Sequence, residues 1–162
     1  MEETHPCVKV LCTSLECLAV RCVGNSEGKR NGFLDAISSE LIVFLGYERG
    51  HMQKKGTGGI KKEDLGFWYF VREIAKNMWD HADGKGSFHF IRDELDVRFW
   101  ICDQGREGFS LATIKKGGSS KAGNGTNFGA GVIGGMIDDW SREAGLSYTL
   151  NPERGFEYTG TF

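Results

Sequence analysis

Residues 63–83 read EDLGFWYFVREIAKNMWDHAD, and this stretch decides the fold. Its apolar residues recur every three or four positions, a period that predicts an amphipathic helix. Gly84 and Gly86 follow and end the helical pattern. Beyond them, residues 87–92 (SFHFIR) and 95–102 (LDVRFWIC) flank a tight turn, which predicts two antiparallel strands. The apolar stripe of the helix consists of Leu65, Trp68, Val71, Ala75, Met78 and Ala82.

Further elements are predicted toward both ends of the chain. Residues 7–23 are rich in β-prone side chains and break near Thr13, so they predict two short strands or a hairpin. Residues 33–46 carry apolar side chains at helical spacing, with Gly46 as the expected C-cap. A final pair of strands is predicted at residues 146–151 and 155–162. Loops are predicted at residues 24–32, 49–62 and 103–131, and the last helix at residues 129–144.

The resulting order is β-β-α-α-β-β-loop-α-β-β. Strands come in adjacent pairs and do not alternate singly with helices, which disfavours a doubly wound parallel sheet. We therefore predict an α+β fold, a two-layer sandwich of a mixed, mostly antiparallel sheet with helices on one face. The length of 162 residues fits a single domain spanning residues 1–162.

Composition excludes several classes of protein. Lys and Arg together number 20 and Asp and Glu 22, so no global excess of positive charge indicates nucleic acid or anionic membrane as a partner. No apolar run approaches the roughly 18 residues of a membrane span. Residues 1–10 are mixed and begin acidic, unlike a secretory signal, so we expect a cytoplasmic protein.

The chain contains five cysteines. Four of them, Cys7, Cys12, Cys17 and Cys22, are spaced by five residues, and the fifth is Cys102. This spacing does not match the C-x-x-C pairs of zinc sites, and on a strand an odd spacing alternates between faces. We therefore expect small, buried, reduced thiols instead of a structural metal site.

A polar cluster on the predicted central helix consists of Glu73, Asn77, Asp80 and His81. Glu73 and Asn77 are four residues apart and share one helical face, with Asp80 one turn further on. One interpretation is the solvated face of an amphipathic helix. The other is a phosphate site with magnesium, since an amide oxygen can ligate the ion and a carboxylate can orient a nucleophile.

Two more clusters follow in the chain. Asp103 directly follows the strand 95–102 and leads into Gly105 and Gly108. This pattern predicts either an acid and close-approach glycines at the rim of the sheet or a simple strand-ending turn. Residues 117–131 (GGSSKAGNGTNFGAG) open onto the last predicted helix and predict either an anion site or a flexible surface loop. Positive charge near this loop comes from Lys115, Lys116 and Lys121.

Two other nucleotide motifs are excluded. Residues 129–134 (GAGVIG) fit the G-x-G-x-x-G dinucleotide pattern, with Glu153 about twenty residues on, but no strand precedes them and they open the last helix. No G-x-x-x-x-G-K-[ST] sequence is present, so there is no P-loop.

Taken together, Glu-x-x-x-Asn-x-x-Asp-His-Ala on a helix, a strand into Asp-x-Gly, and a glycine-rich loop opening a helix resemble the Bergerat-fold ATPases. This superfamily includes gyrase, heat-shock chaperones, histidine kinases and MutL. The resemblance covers residues 63–162, whereas residues 1–62 match more loosely. In size and wording the chain is similar to histidine-kinase-type ATPase domains and bacterial anti-sigma-factor serine kinases.

The resemblance implies a role for each residue. Glu73 would be the general base, Asn77 would ligate magnesium, and Asp80 and His81 would adjoin the nucleotide. Asp103 would accept the adenine amino hydrogen and Gly105 would shape that edge of the pocket. A threonine on the final strand, Thr159 or Thr161, would assist it. The triphosphate would lie against Lys121, Gly125, Thr126, Gly129 and Gly131, under a lid at about residues 109–128.

The sequence departs from the family in two places. Glu107 adds one residue before Gly108, so Gly108 receives no role, and the lid glycines differ from the usual wording. The resemblance implies an ATP- and magnesium-dependent regulator that phosphorylates or sequesters a protein partner, such as a sigma factor or an anti-anti-sigma-like regulator, with a homodimer as one assembly. The alternatives are a non-catalytic ATP-binding module and a fragment of a larger ATPase. An enzyme of this kind would be a serine/threonine kinase or a weak ATPase.

Overall fold

The structure is a computed structural model, and it describes residues 5–103, 147–151 and 155–161, with side chains for residues 5–103 and for Thr159. Three helices and six strands occupy these ranges. In chain order they are β1 (Val8–Thr13), β2 (Cys17–Val23), α1 (Arg30–Phe44), α2 (His51–Lys55), α3 (Lys62–His81), β3 (Lys85–Asp93), β4 (Asp96–Asp103), β5 (Ser147–Asn151) and β6 (Gly155–Thr161).

The strands form one sheet in the order β1-β2-β3-β4-β6-β5, and every neighbouring pair is antiparallel. The α+β class and the pairing of adjacent strands are therefore as predicted. The register between β1 and β2 shifts between Val10 and Cys12, where Leu11 forms a bulge in β1. A bulge adds one unpaired residue to one strand and bends it locally.

The core lies between the sheet and the two long helices. Buried side chains alternate along β4, where Val97, Phe99, Ile101 and Asp103 face inward. The ring of Phe67 in α3 contacts those of Phe90 and Phe99 at centroid distances of 5.7 and 5.3 Å. Because α1 also packs on this layer, through Phe44 against Phe90, both long helices lie on the same face of the sheet.

Helix α3 begins without a side-chain cap, but Glu63 and Asp64 in its first turn complement the positive end of the helix dipole. The helix ends where the N–H groups of Ala82 and Gly84 both donate to the Met78 carbonyl. Gly84 has a φ of +70°, a conformation that favours glycine. This turn sends the chain directly back under the helix as β3.

Most helix and strand ends lie within one or two residues of the prediction, and two differences are larger. Helix α1 begins at Arg30, three residues before the predicted start. The sequence pattern missed this first turn because its residues are mostly exposed and show no apolar periodicity. The predicted loop at 49–62 contains α2, where the buried His51 lies 2.6 Å from the carbonyl oxygen of Gly58 through its Nε2 atom. That contact joins residues seven apart and leaves no periodic signature.

The expectation of buried cysteines is right for two of the five. Cys7 and Cys22 are buried, whereas Cys12, Cys17 and Cys102 are half-buried, and none of the five forms a disulfide. In the described ranges, no helix combines the length and apolar character needed to cross a membrane.

Candidate functional site

The carboxylate of Glu73 lies on α3 at a buried position, and only 7% of the residue is exposed. Its Oε1 atom is 2.6 Å from Nζ of Lys76, one helical turn on. The interpretation of this helical face as a solvated one is therefore wrong at Glu73 and also at the buried His81. A buried carboxylate requires a partner, and Lys76 supplies it.

Asp80 is engaged by a residue from another helix. Arg30, the first residue of α1, donates from Nε to Oδ1 and from Nη2 to Oδ2 of Asp80, both at 2.9 Å. The hydrogen bond to Asp80, followed by the charges of Asp80 and Glu73, raises the pKa of Arg30 against the effect of its partial burial. The same guanidinium thus feels both carboxylates of the predicted cluster.

The register of β3 and β4 brings Asp103 to α3. Asp103 is 2% exposed and lies opposite Gly86, on the face of the sheet that the long helices cover. A Cβ atom at Gly86 would lie 2.5 Å from Cε and 2.9 Å from Sδ of Met78. Met78 follows Asn77 in α3, and Asn77 is half-buried. Asp103 and Met78, the residue that follows Asn77 in α3, therefore lie at the same end of the layer between helix and sheet.

The final strand does not bring its threonines to Asp103. Thr159 pairs with Trp100 and Thr161 with Arg98. Directly paired residues share a face of the sheet, and Trp100 and Arg98 alternate with the buried Ile101 and Phe99. Thr159 thus belongs to the face opposite that of Asp103, and Thr161 pairs with Arg98 two residues further along, so this register does not support their predicted part in adenine binding.

The remaining sequence-predicted positions lie outside the described residues. They are Gly105, Gly108, Lys115, Lys116, Lys121, Gly125, Thr126, Gly129 and Gly131, the lid at about 109–128 and the helix at 129–144.

Two residues of the site were missed by the sequence interpretation. Lys76 carries a readable signal, because it is three residues after Glu73 and such pairs meet on a helix surface. Arg30 has no local signal. Its contact with Asp80 joins residues 50 apart in the chain and depends on the packing of α1 against α3.

Two grooves occur in the described part of the chain, and the second includes Gly86 in its lining. One groove of about 250 Å³ is lined by α1, α2 and α3 around Trp68 and Arg72, and another of about 540 Å³ opens over β2, β3 and β4 around His89 and Trp100. Neither is lined by Glu73, Asn77 or Asp103. No set of three or more His, Cys, Asp or Glu side chains suited to a metal ion occurs within the described ranges.

Comparison of the chain with protein-family models, with curated proteins and with solved structures finds no match. The assignment of function consequently depends on the chain's own residues and their geometry.

Proposed function

We propose that the chain binds an adenine nucleotide with magnesium where the end of α3 meets the end of β4, and that it uses the nucleotide to control a partner protein. One observation carries the proposal. The buried Asp103 lies opposite Gly86, and Gly86 lies beneath Met78, next to Asn77. In Bergerat-fold ATPases a helix with an amide side chain is followed by two strands and an acid at the end of the second strand, and the positions of Asn77 and Asp103 are consistent with this order. The antiparallel sheet with its long helices on one face is also consistent with that architecture.

Asp103 is suited to recognise adenine. A buried carboxylate is an acceptor, and the exocyclic amino group of adenine is a donor at the Watson–Crick edge. Guanine presents a carbonyl oxygen at the equivalent position and would meet the carboxylate with two acceptors. Asp103 is the last of the alternating inward-facing residues of β4, and its backbone pairs with Gly86 of β3. The sheet therefore fixes the position from which the carboxylate extends.

The polar residues of α3 fit a magnesium-bound phosphate. Magnesium prefers oxygen ligands and keeps several waters, so one amide oxygen such as that of Asn77 is a typical protein contribution. When bound, the ion would neutralise charge on the phosphate oxygens. Lys76 and Arg30 add positive charge within reach of Glu73 and Asp80, which keeps the acidic cluster from repelling an anion.

Glu73 is the residue that would accept a proton from an attacking hydroxyl. A general base needs an ionised carboxylate with an available lone pair near the substrate. Lys76 contacts Oε1 and leaves the second oxygen, Oε2, outside that contact. We therefore propose a protein serine/threonine kinase or weak ATPase, with a regulatory protein as the phosphoryl acceptor or as the sequestered partner.

A non-catalytic nucleotide-binding module is the second candidate, and the ion pair at Glu73 favours it. At 2.6 Å, the Nζ atom of Lys76 occupies Oε1 of Glu73, so this oxygen is not available to an attacking hydroxyl. In a module of this kind Glu73 and Lys76 would be structural, and the nucleotide would order a surface for the partner.

Calorimetric titration with ATP, ADP and GTP, with and without magnesium, tests binding. We expect ATP and ADP to bind and GTP to bind at least about tenfold more weakly, the equivalent of about 1.4 kcal/mol. Asp103→Asn should weaken ATP binding by about 1–3 kcal/mol, since the amide presents a donor to the adenine amino group or leaves it unpaired. Asp96→Asn is the matched control, because Asp96 begins the same strand and is exposed. Equal affinity for ATP and GTP, or equal effects of the two variants, would refute the site.

A further inference from the structure

The β1–β2 hairpin brings the first four cysteines, which are spaced by five residues, together in two pairs. The chain turns between Thr13 and Cys17, so the spacing nests Cys12 with Cys17 near the turn and Cys7 with Cys22 at the open end. In the register, Cys12 pairs with Ala19, which is two residues from Cys17 on the same strand. Residues two apart on a strand share a face, so Cys12 and Cys17 lie diagonally across the hairpin on one side of the sheet.

The contacts between the two residues are direct. The Cys12 thiol donates to the carbonyl oxygen of Cys17 at 3.6 Å. A hydrogen bond between the two thiols is the main cause that raises the pKa of Cys17, ahead of burial and of the charge on Cys12. Both residues are half-buried, so a small solute reaches them.

We propose that Cys12 and Cys17 are a modification site, a dithiol that a hydroperoxide oxidises to an intramolecular disulfide. The thiolate of one cysteine attacks an oxygen of hydrogen peroxide, the O–O bond breaks, a sulfenic acid forms, and the hydroxide that leaves becomes water by taking up the proton that the thiol had lost. The second thiol then attacks the sulfenic sulfur, the Sγ–Sγ bond forms, and a second water leaves. The two sulfur atoms lose two electrons in total, and the two oxygen atoms of the peroxide gain them.

The buried pair provides an internal contrast. Cys7 and Cys22 are 1% and 3% exposed, and burial, with a contribution from Cys7, raises the pKa of Cys22 to about 12. The contrast with Cys12 and Cys17 lies in access, because a hydroperoxide reaches a half-buried thiol more readily than one that the core covers. Cys102 is half-buried on β4, opposite Ser87, and β2 and β3 separate its strand from Cys12 on β1. Oxidation is therefore expected to be specific to the pair near the turn.

Tryptic digestion separates these cysteines cleanly. Cleavage after Lys9, Arg21 and Lys29 places Cys12 and Cys17 together on peptide 10–21, whereas Cys7 and Cys22 fall on two different peptides. The folded full chain is treated with hydrogen peroxide for increasing times, freed of peroxide, unfolded in urea with N-ethylmaleimide so that every remaining thiol is labelled, and digested without reductant. An internal disulfide leaves peptide 10–21 unlabelled and lighter by two hydrogens, and dithiothreitol before labelling restores two labels.

We expect peptide 10–21 to lose its maleimide labels roughly tenfold faster than peptide 22–29, which carries Cys22. Cys12→Ser and Cys17→Ser should each abolish the unlabelled, lighter form of peptide 10–21, whereas Cys102→Ser should leave it unchanged. Three results would overturn the proposal: two labels retained on peptide 10–21, disulfides that link it to Cys102 or to a second chain, or a bridge that forms at the same rate in urea. Far-UV circular dichroism of the reduced serine variants verifies that each is folded.

Discussion

Arg30 and Asp80 join the first residue of α1 to the last turn of α3 by two parallel hydrogen bonds, each of 2.9 Å. Asp80 is 14% exposed in its side chain and Arg30 is 42% exposed. Both carboxylate oxygens are engaged, which is the bidentate geometry in which arginine binds carboxylates best. The pair fixes the end of α3 that carries the proposed site.

This pair should contribute measurably to stability. We expect Arg30→Gln and Asp80→Asn each to lower the free energy of unfolding, with a coupling of about 0.5–1 kcal/mol in a double-mutant cycle, because half of the pair is exposed to screening solvent. Urea unfolding of the native sequence, the two single variants and the double variant measures this coupling energy. A nucleotide affinity that falls with Asp80→Asn and not with Arg30→Gln would instead assign Asp80 to the ligand, as the family resemblance implies.

Gly86 should be intolerant of a side chain. A Cβ atom there would lie 2.4 Å from the Cys102 carbonyl oxygen and 2.5 Å from Cε of Met78, at a φ of +157°. Gly86→Ala should cost about 1–3 kcal/mol of stability through overpacking, and it should weaken ATP binding because β3 and β4 are pushed away from α3. Thermal and urea unfolding, followed by calorimetry, measure both effects.

Gly66 is the matched control for that substitution. It lies within α3, and a Cβ atom at this position would contact nothing within 4 Å. Gly66→Ala should therefore stabilise the chain by about 0.5–1 kcal/mol, the usual gain in a helix interior. Equal effects of the two alanine substitutions would contradict the packing of Gly86 beneath Met78.

Cys22 should make stability depend on alkaline pH. Burial raises its pKa from 9.0 to about 12, so between these values the unfolded chain loses a proton that the folded chain keeps. Folding then becomes less favourable as pH rises, by about 1.4 kcal/mol per pH unit above 9, and the effect is absent below that range. Urea unfolding under reductant at pH 8, 9 and 10 should show the loss in the native sequence and a smaller loss in Cys22→Ala. Identical pH slopes would show that Cys22 titrates normally when folded.

Glu73 and Asn77 should separate chemistry from binding. Glu73→Gln should leave ATP affinity nearly unchanged and lower phosphoryl transfer or hydrolysis by about 10²–10⁴, the usual contribution of a positioned base. Asn77→Ala should weaken ATP binding, and the deficit should shrink when magnesium is withheld. Binding is measured by calorimetry and turnover by release of labelled phosphate or its transfer to a candidate partner.

The control for the base is Glu63→Gln, an exposed acid in the first turn of the same helix. Thermal unfolding without ligand comes first, because Glu73 is buried and its replacement can weaken folding. If Glu73→Gln and Glu63→Gln turn over nucleotide equally while both fold, the kinase proposal fails and the binding module replaces it.

Much of the fold could be predicted because periodicity is a local signal. The stripe along α3 and the alternation in β3 and β4 reflect the side chains that each element buries, so the pattern predicted them. The first turn of α1 and the short α2 escaped prediction because their positions depend on tertiary contacts, such as that of His51 with Gly58. The sequence likewise predicted that Glu73 and Asp103 belong to a site. It did not predict that both carboxylates are buried, where their electrostatic interactions are stronger than in water.

The cysteine spacing shows the opposite limit. Considered along one strand, a spacing of five alternates faces and suggests no pairing. Once the hairpin is formed, the same spacing is symmetric about the turn and brings Cys12 and Cys17 together. The signal was present in the sequence, but it becomes readable only with the position of the turn, which residues 13–17 specify through hydrogen bonds of Ser14 with Cys17.

The bulge at Leu11 has a consequence for how the molecule meets its neighbours. Within the described ranges β1 is the first strand of the sheet, and Val10 and Leu11 on it are 40% and 63% exposed. A straight, apolar outer strand invites a strand from another chain to add to it and to seed aggregates. By twisting the strand and breaking its regular row of backbone donors and acceptors, the bulge protects the sheet against such self-association.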